Sequence, residues 1–129
     1  MKEYKLSYGI FHWLVHFSLM LIAGYLLGLG FTGYLILFFA TIVIDFDHLP
    51  VLRKKGVFGY LKSLKFSEAR YYPLHRIHFL VLFLLLTLVS KYLEISFLTI
   101  FFVGMMVHMV WDFSEDVFIF RIGIKNWKV

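Results

Sequence analysis

Four runs of apolar residues, 6–29, 31–49, 74–92 and 95–113, make up most of this 129-residue chain and restrict its fold more than any other feature. Each is close to the ~20 residues a helix needs to cross ~30 Å of hydrocarbon. Backbone groups in lipid must be paired within a helix or a closed barrel, and the alternating segments of a barrel are missing. Composition agrees. The chain is 61% hydrophobic and 16% charged, where a soluble domain carries about 25% charged residues. Disorder, collagen and repeat arrays are excluded by the same figures. With no cysteine, disulfides, thiolate zinc sites, iron–sulfur clusters and cysteine nucleophiles are excluded as well. The expected fold is all-α: one membrane-embedded domain over 1–129, an integral bundle of four transmembrane helices. Gly28, Gly30 and Gly33 mark the first turn and residues 91–96 the third. Pro50 is read as closing the second span, and Pro73 as a first-turn proline opening the third.

Charge gives the direction. Of the 13 basic residues, only Lys91 falls on the side of the membrane away from both termini and the 51–72 loop. The positive-inside rule then makes the termini and that loop cytoplasmic, and the chain a protein of the cytoplasmic membrane. The first span is longer than a signal-peptide core and lacks an Ala-x-Ala exit, so it reads as a retained anchor. In the loop, Val57, Phe58, Leu61, Leu64 and Phe66 interleave with Lys54, Lys55, Lys62 and Lys65. That mixture suits either a segment in the headgroup layer or an ordinary basic cytoplasmic loop. The stretch from 114 to 129 reads as a second interfacial piece anchored by Trp127.

The ionisable residues carry the functional signal. All 6 histidines, namely His12, His16, His48, His75, His78 and His108, lie in or at the ends of spans, as do Asp45, Asp47 and Asp112. An aspartate at the centre of a membrane helix costs about 2.5–3.5 kcal/mol on insertion scales, so such residues are rare and have partners. The topology places all nine in the cytoplasmic half of the bundle. His12 and His16 are four apart, as are His108 and Asp112; His75 and His78 are three apart, as are Asp45 and His48. Residues so spaced share a helix face. Imidazole and carboxylate donors without sulfur suit one or two divalent ions, zinc first, with manganese or iron as alternatives. Taken singly, each residue has a plainer reading: an interfacial hydrogen-bonding histidine, a capping Asp47, an Arg76 that snorkels to headgroups. Shared depth and spacing argue for the set.

Three blocks, Asp45-Phe46-Asp47-His48-Leu49-Pro50, His75-Arg76-Ile77-His78 and His108-Met109-Val110-Trp111-Asp112, together with the early histidine at 12 or 16, carry a resemblance. In order and membrane position the chain resembles the inner-membrane-associated, LexA-binding, YdjM-like metal-dependent hydrolases. Its third block is shorter than that family's His-Arg-Gly-x-Thr-His-Ser. The resemblance implies a metal-dependent hydrolase and leaves open which of His12 and His16, and which of His75 and His78, are ligands.

The expected activity is hydrolysis of a lipid or phosphoester bond at the cytoplasmic face, with membrane lipid as partner and no nucleic acid. Asp45, Asp47, His48, His78, His108 and Asp112 are the first candidates for ligands or their direct partners. Asp47 and Arg76 are the candidate catalytic groups, the guanidinium pairing with a phosphate oxygen. Three other readings compete: haem-binding electron transfer between histidines on facing helices, a metal transporter or sensor, and a metal that only staples the helices. Transport fits least, because no polar half-channel reaches the far side.

Overall fold

A computed structural model of the chain describes residues 6–50, 52–54, 56 and 73–115. Among these the structure is all helix, with no strand. Helix α1 spans Leu6–Leu26 and α2 spans Phe31–Ile44, followed directly by a 3₁₀ turn at Asp45–His48. A second 3₁₀ turn, Pro73–His75, precedes α3 at Ile77–Tyr92, and α4 covers Ser96–Ser114. Two stretches, Phe31–His48 and Ser96–Ser114, are long and apolar enough to cross a membrane. The apolar parts of the other two helices, Ile10–Leu26 and Ile77–Tyr92, are shorter. The interfacial readings of the 51–72 loop and of the tail to Val129 fall outside the described residues, apart from 52–54, 56, 114 and 115.

The α1–α2 turn is closed by hydrogen bonds from Leu29 N–H to the Gly24 carbonyl and from Gly28 N–H to the Tyr25 carbonyl. Gly28 takes the left-handed φ of 64° that this end motif requires. The α3–α4 turn uses the same pair of bonds, Ile95 to Ser90 and Glu94 to Lys91. There Glu94 holds the left-handed position, at φ 58°.

Two boundaries differ from the sequence reading. Pro50 does not end the second helix; the α-helix stops at Ile44, and Leu49 and Pro50 are again helical after the 3₁₀ turn. Proline has no N–H, so the Phe46 carbonyl four residues earlier would lose its α-type partner. The tighter turn resolves this, because Leu49 N–H bonds the Phe46 carbonyl instead. The third helix starts at Ile77 rather than 74, because Arg76 is extended (φ −87°, ψ 147°).

Helix α4 packs along both α2 and α3, while α1 lies more lightly against α2 and α4. The α2–α4 approach depends on Gly104. A Cβ there would lie 2.8 Å from the Ala40 Cβ and 3.2 Å from the Leu37 carbonyl. Small residues permit such contacts between apolar helices. The buried centre consists of Ala40, Ile44, Phe83, Met105 and Met109. Outside it, large side chains such as Trp13, Phe17, Ile22, Phe39, Leu85 and Phe97 are more than half exposed. That outward apolar surface suits lipid better than water. Buried polar residues are His16, His75, His108 and Glu115 below the apolar centre, and Ser90 at the opposite end.

Candidate metal centre

Five imidazoles form a continuous row. Ring centroids are 4.4 Å apart for His12–His16, 4.0 Å for His16–His108, 5.5 Å for His108–His75 and 4.6 Å for His75–His48. They come from α1, α4 and the two 3₁₀ turns, so four separate parts of the chain meet here. Local geometry explains each contribution. His12 and His16, one turn apart on α1, point together, as do His108 and Asp112 on α4. In the first 3₁₀ turn Asp45 and His48 are three apart and therefore nearly eclipsed, with His48 Nδ1 3.4 Å from Asp45 Oδ1.

The Asp-x-Asp pair holds His75 from both sides. Asp47 Oδ2 lies 3.1 Å from His75 Nδ1 and accepts the Leu74 N–H at 2.9 Å. Asp45 Oδ1 lies 3.6 Å from the other ring nitrogen, Nε2. With Nδ1–H donating to Asp47, the Nε2 lone pair of the neutral ring points inward. A carboxylate behind a histidine in this way is the usual outer support of a metal-binding imidazole. The remaining Asp47 oxygen, Oδ1, is 2.9 Å from His48 Nδ1.

Four inward atoms then form a closed ring in which nitrogen and oxygen alternate. Asp112 Oδ2 is 3.2 Å from His75 Nε2 and 3.1 Å from His108 Nε2. Asp45 Oδ1 is 3.3 Å from His108 Nε2 and 3.6 Å from His75 Nε2. A tetrahedral zinc site with ligand distances of about 2.0–2.1 Å has edges of about 3.3–3.4 Å. The four distances bracket that value, and within the ring His75, His108 and Asp112 have ligand atoms close enough to share an ion. Their side chains are 8% (His75), 3% (His108), 13% (Asp112) and 29% (Asp45) exposed, which leaves Asp45 as the side open to the surroundings.

Three overlapping triads have ligand atoms close enough to share an ion: His12, His16 and Asp112; Asp45, His48 and His75; and His75, His108 and Asp112. Eight of the nine histidines and aspartates singled out in the sequence therefore lie in or beside one cluster. His78 does not. The extended backbone at Arg76 breaks the helical register between His75 and His78, so the two do not share a face. His75 is buried, whereas His78 is exposed with its ring 4.9 Å from that of Phe79. Asp47 supports His75 and belongs to none of the triads. Arg76 is half-buried and adjoins His75 in the chain.

Glu115 is a member that the sequence reading missed. It is 2% exposed, and its Oε2 lies 2.8 Å from His12 Nδ1. Its signal was the 108, 112, 115 spacing, which puts three polar side chains on one face of a helix. Comparison with protein-family models, with curated proteins and with solved structures gave no match. Among the described residues, the cluster thus has eight sequence-predicted members and one found only by packing, and it contains groups that could hold a metal ion.

Proposed function

We propose that the chain is an integral protein of the cytoplasmic membrane, four transmembrane helices with both termini inside, whose cluster binds a divalent ion and hydrolyses a lipid or phosphoester bond at the cytoplasmic face. This is the activity implied by the resemblance to the YdjM-like metal-dependent hydrolases. The observation that carries it is the alternating ring of His75, His108, Asp45 and Asp112. Zinc suits the donor set and the ring's size; manganese and iron accept the same donors. An ion held there lowers the pKa of coordinated water toward ~7 and polarises the scissile oxygen.

The chain's own residues have distinct tasks. His75, His108 and Asp112 hold the ion, and Asp45, the most exposed of the four, faces the position left for water as its general base. Asp47 is a positioning residue, fixing the His75 ring and the start of the second 3₁₀ turn through Leu74 N–H. Arg76, next to His75, supplies a guanidinium for an anionic head group. Three protein ligands leave one coordination position for water, as catalytic sites do, whereas a structural staple has all four positions filled. Haem fits less well. The imidazole Nε2 atoms of the ring face carboxylate oxygens 3.1–3.6 Å away, which leaves no slot for a macrocycle between two rings.

Detergent-purified protein, assayed for hydrolysis of lipid phosphoesters in mixed micelles, tests the reading. Activity that is lost on chelation, returns with zinc or manganese, and is absent from His108→Ala supports it. Turnover that survives both chelation and His108→Ala contradicts it.

A further inference from the structure

The two oxygens of Asp112 face different histidine pairs. Oδ2 serves His75 and His108, as described above, while Oδ1 lies 3.0 Å from His16 Nε2 and 3.9 Å from His12 Nε2. The two imidazole nitrogens on that side are themselves only 3.1 Å apart.

Hydrogen bonding alone leaves this second triad poorly matched. With His12 Nδ1–H donating to Glu115, the Nε2 of the neutral His12 ring is a lone pair. His16 Nε2 faces both that lone pair and Asp112 Oδ1, and a single proton cannot fully serve both acceptors. A cation between His12 Nε2, His16 Nε2 and Asp112 Oδ1 meets all three atoms with lone pairs. The support seen at His75 is repeated here, with Glu115 behind His12 as Asp47 is behind His75.

We infer that the chain holds two divalent ions rather than one, the second bound by His12 and His16, with Asp112 as the carboxylate bridge between them. This rests on the reading of the His75–His108 ring as the first metal site. Carboxylate-bridged pairs sit about 3.5–4 Å apart and clamp both the attacking and leaving oxygens of an in-line displacement, an arrangement suited to phosphoesters.

The test is a manganese titration of metal-free, detergent-purified full-length protein, read by metal analysis and by electron paramagnetic resonance. The expected result is two ions per chain with an exchange-coupled spectrum. The double variant His12→Ala, His16→Ala should bind one ion with an uncoupled spectrum, and His75→Ala should lose the coupling from the other side. Glu115→Gln preserves side-chain volume and should weaken only the second ion, by about 10–100-fold, so the proposal stays testable if the double variant does not fold. One uncoupled ion per chain, unchanged by the His12, His16 and Glu115 substitutions, overturns the second site and leaves the first standing. Two ions that never couple overturn the bridge. No stoichiometric binding by the unaltered protein overturns both sites.

Discussion

At the end of the bundle where α3 turns into α4, three hydroxyls are buried or half-buried between the helices, and each has a hydrogen-bond partner. Ser90 donates to the Thr87 carbonyl at 3.1 Å, Thr99 reaches Ser90 at 3.2 Å, and Thr87 bonds the Phe83 carbonyl at 2.8 Å. At the other end, His12, His16, His48, His75 and His108 crowd against Asp45, Asp47, Asp112 and Glu115. Here the Nε2 atoms of His16 and His108 converge on the two oxygens of Asp112, at 3.0 and 3.1 Å. The first end shows α3 and α4 packed together with a single neutral hydroxyl pair, Thr99–Ser90, among the three bonds. The second carries far more charge than packing requires, at a place where desolvation is costly. That charge is arranged in groups that could hold a metal ion, which helix association does not call for.

Substitutions at the two ends should therefore act differently. The largest effect is expected for Asp112→Ala, which removes the carboxylate shared by the two histidine pairs. Metal binding should fall by more than the ~100-fold typical of an outer-shell change. Stability without metal should drop by about 3–5 kcal/mol, because buried partners are left uncompensated. Metal analysis and denaturant unfolding in detergent check both parts. Asp47→Asn should keep the fold and weaken metal binding by about 10–100-fold, measured by competition with a chelator; an unchanged affinity would deny Asp47 its positioning role. Away from the cluster, Gly104→Leu should force α2 and α4 apart and lower stability by about 1–3 kcal/mol in a thermal melt. The smallest effect is expected at the hydroxyl end. Glu94→Gly relieves a left-handed residue and should raise stability by up to about 1 kcal/mol without altering metal content.

Much of this contrast can be read along the chain, and the exceptions have local causes. The helix-spaced pairs His12/His16 and His108/Asp112 lie within unbroken α-helices, so spacing alone predicts that each pair shares a face. The same rule fails for His75 and His78, because extended backbone at Arg76 interrupts the register between them. Asp45 and Asp47 were legible as site residues but not in their separate tasks, which depend on a second 3₁₀ turn lying beside the first. Glu115 was passed over because it sits just beyond the apolar run that ends at 113, where a lone acid resembles an ordinary boundary charge. Its burial depends on α1 crossing α4, and sequence periodicity does not reveal that crossing.

The proposed centre requires imidazoles and carboxylates from separate helices to share a divalent ion. X-ray absorption at the zinc edge, on detergent-purified protein given one equivalent of zinc, tests it most directly. The expected spectrum has a first shell of nitrogen and oxygen at about 2.0–2.1 Å, with the outer scattering of imidazole rings, and that imidazole signal is lost in the double variant His75→Ala, His108→Ala. A zinc ion surrounded only by water oxygens, with the same spectrum in both proteins, would contradict it.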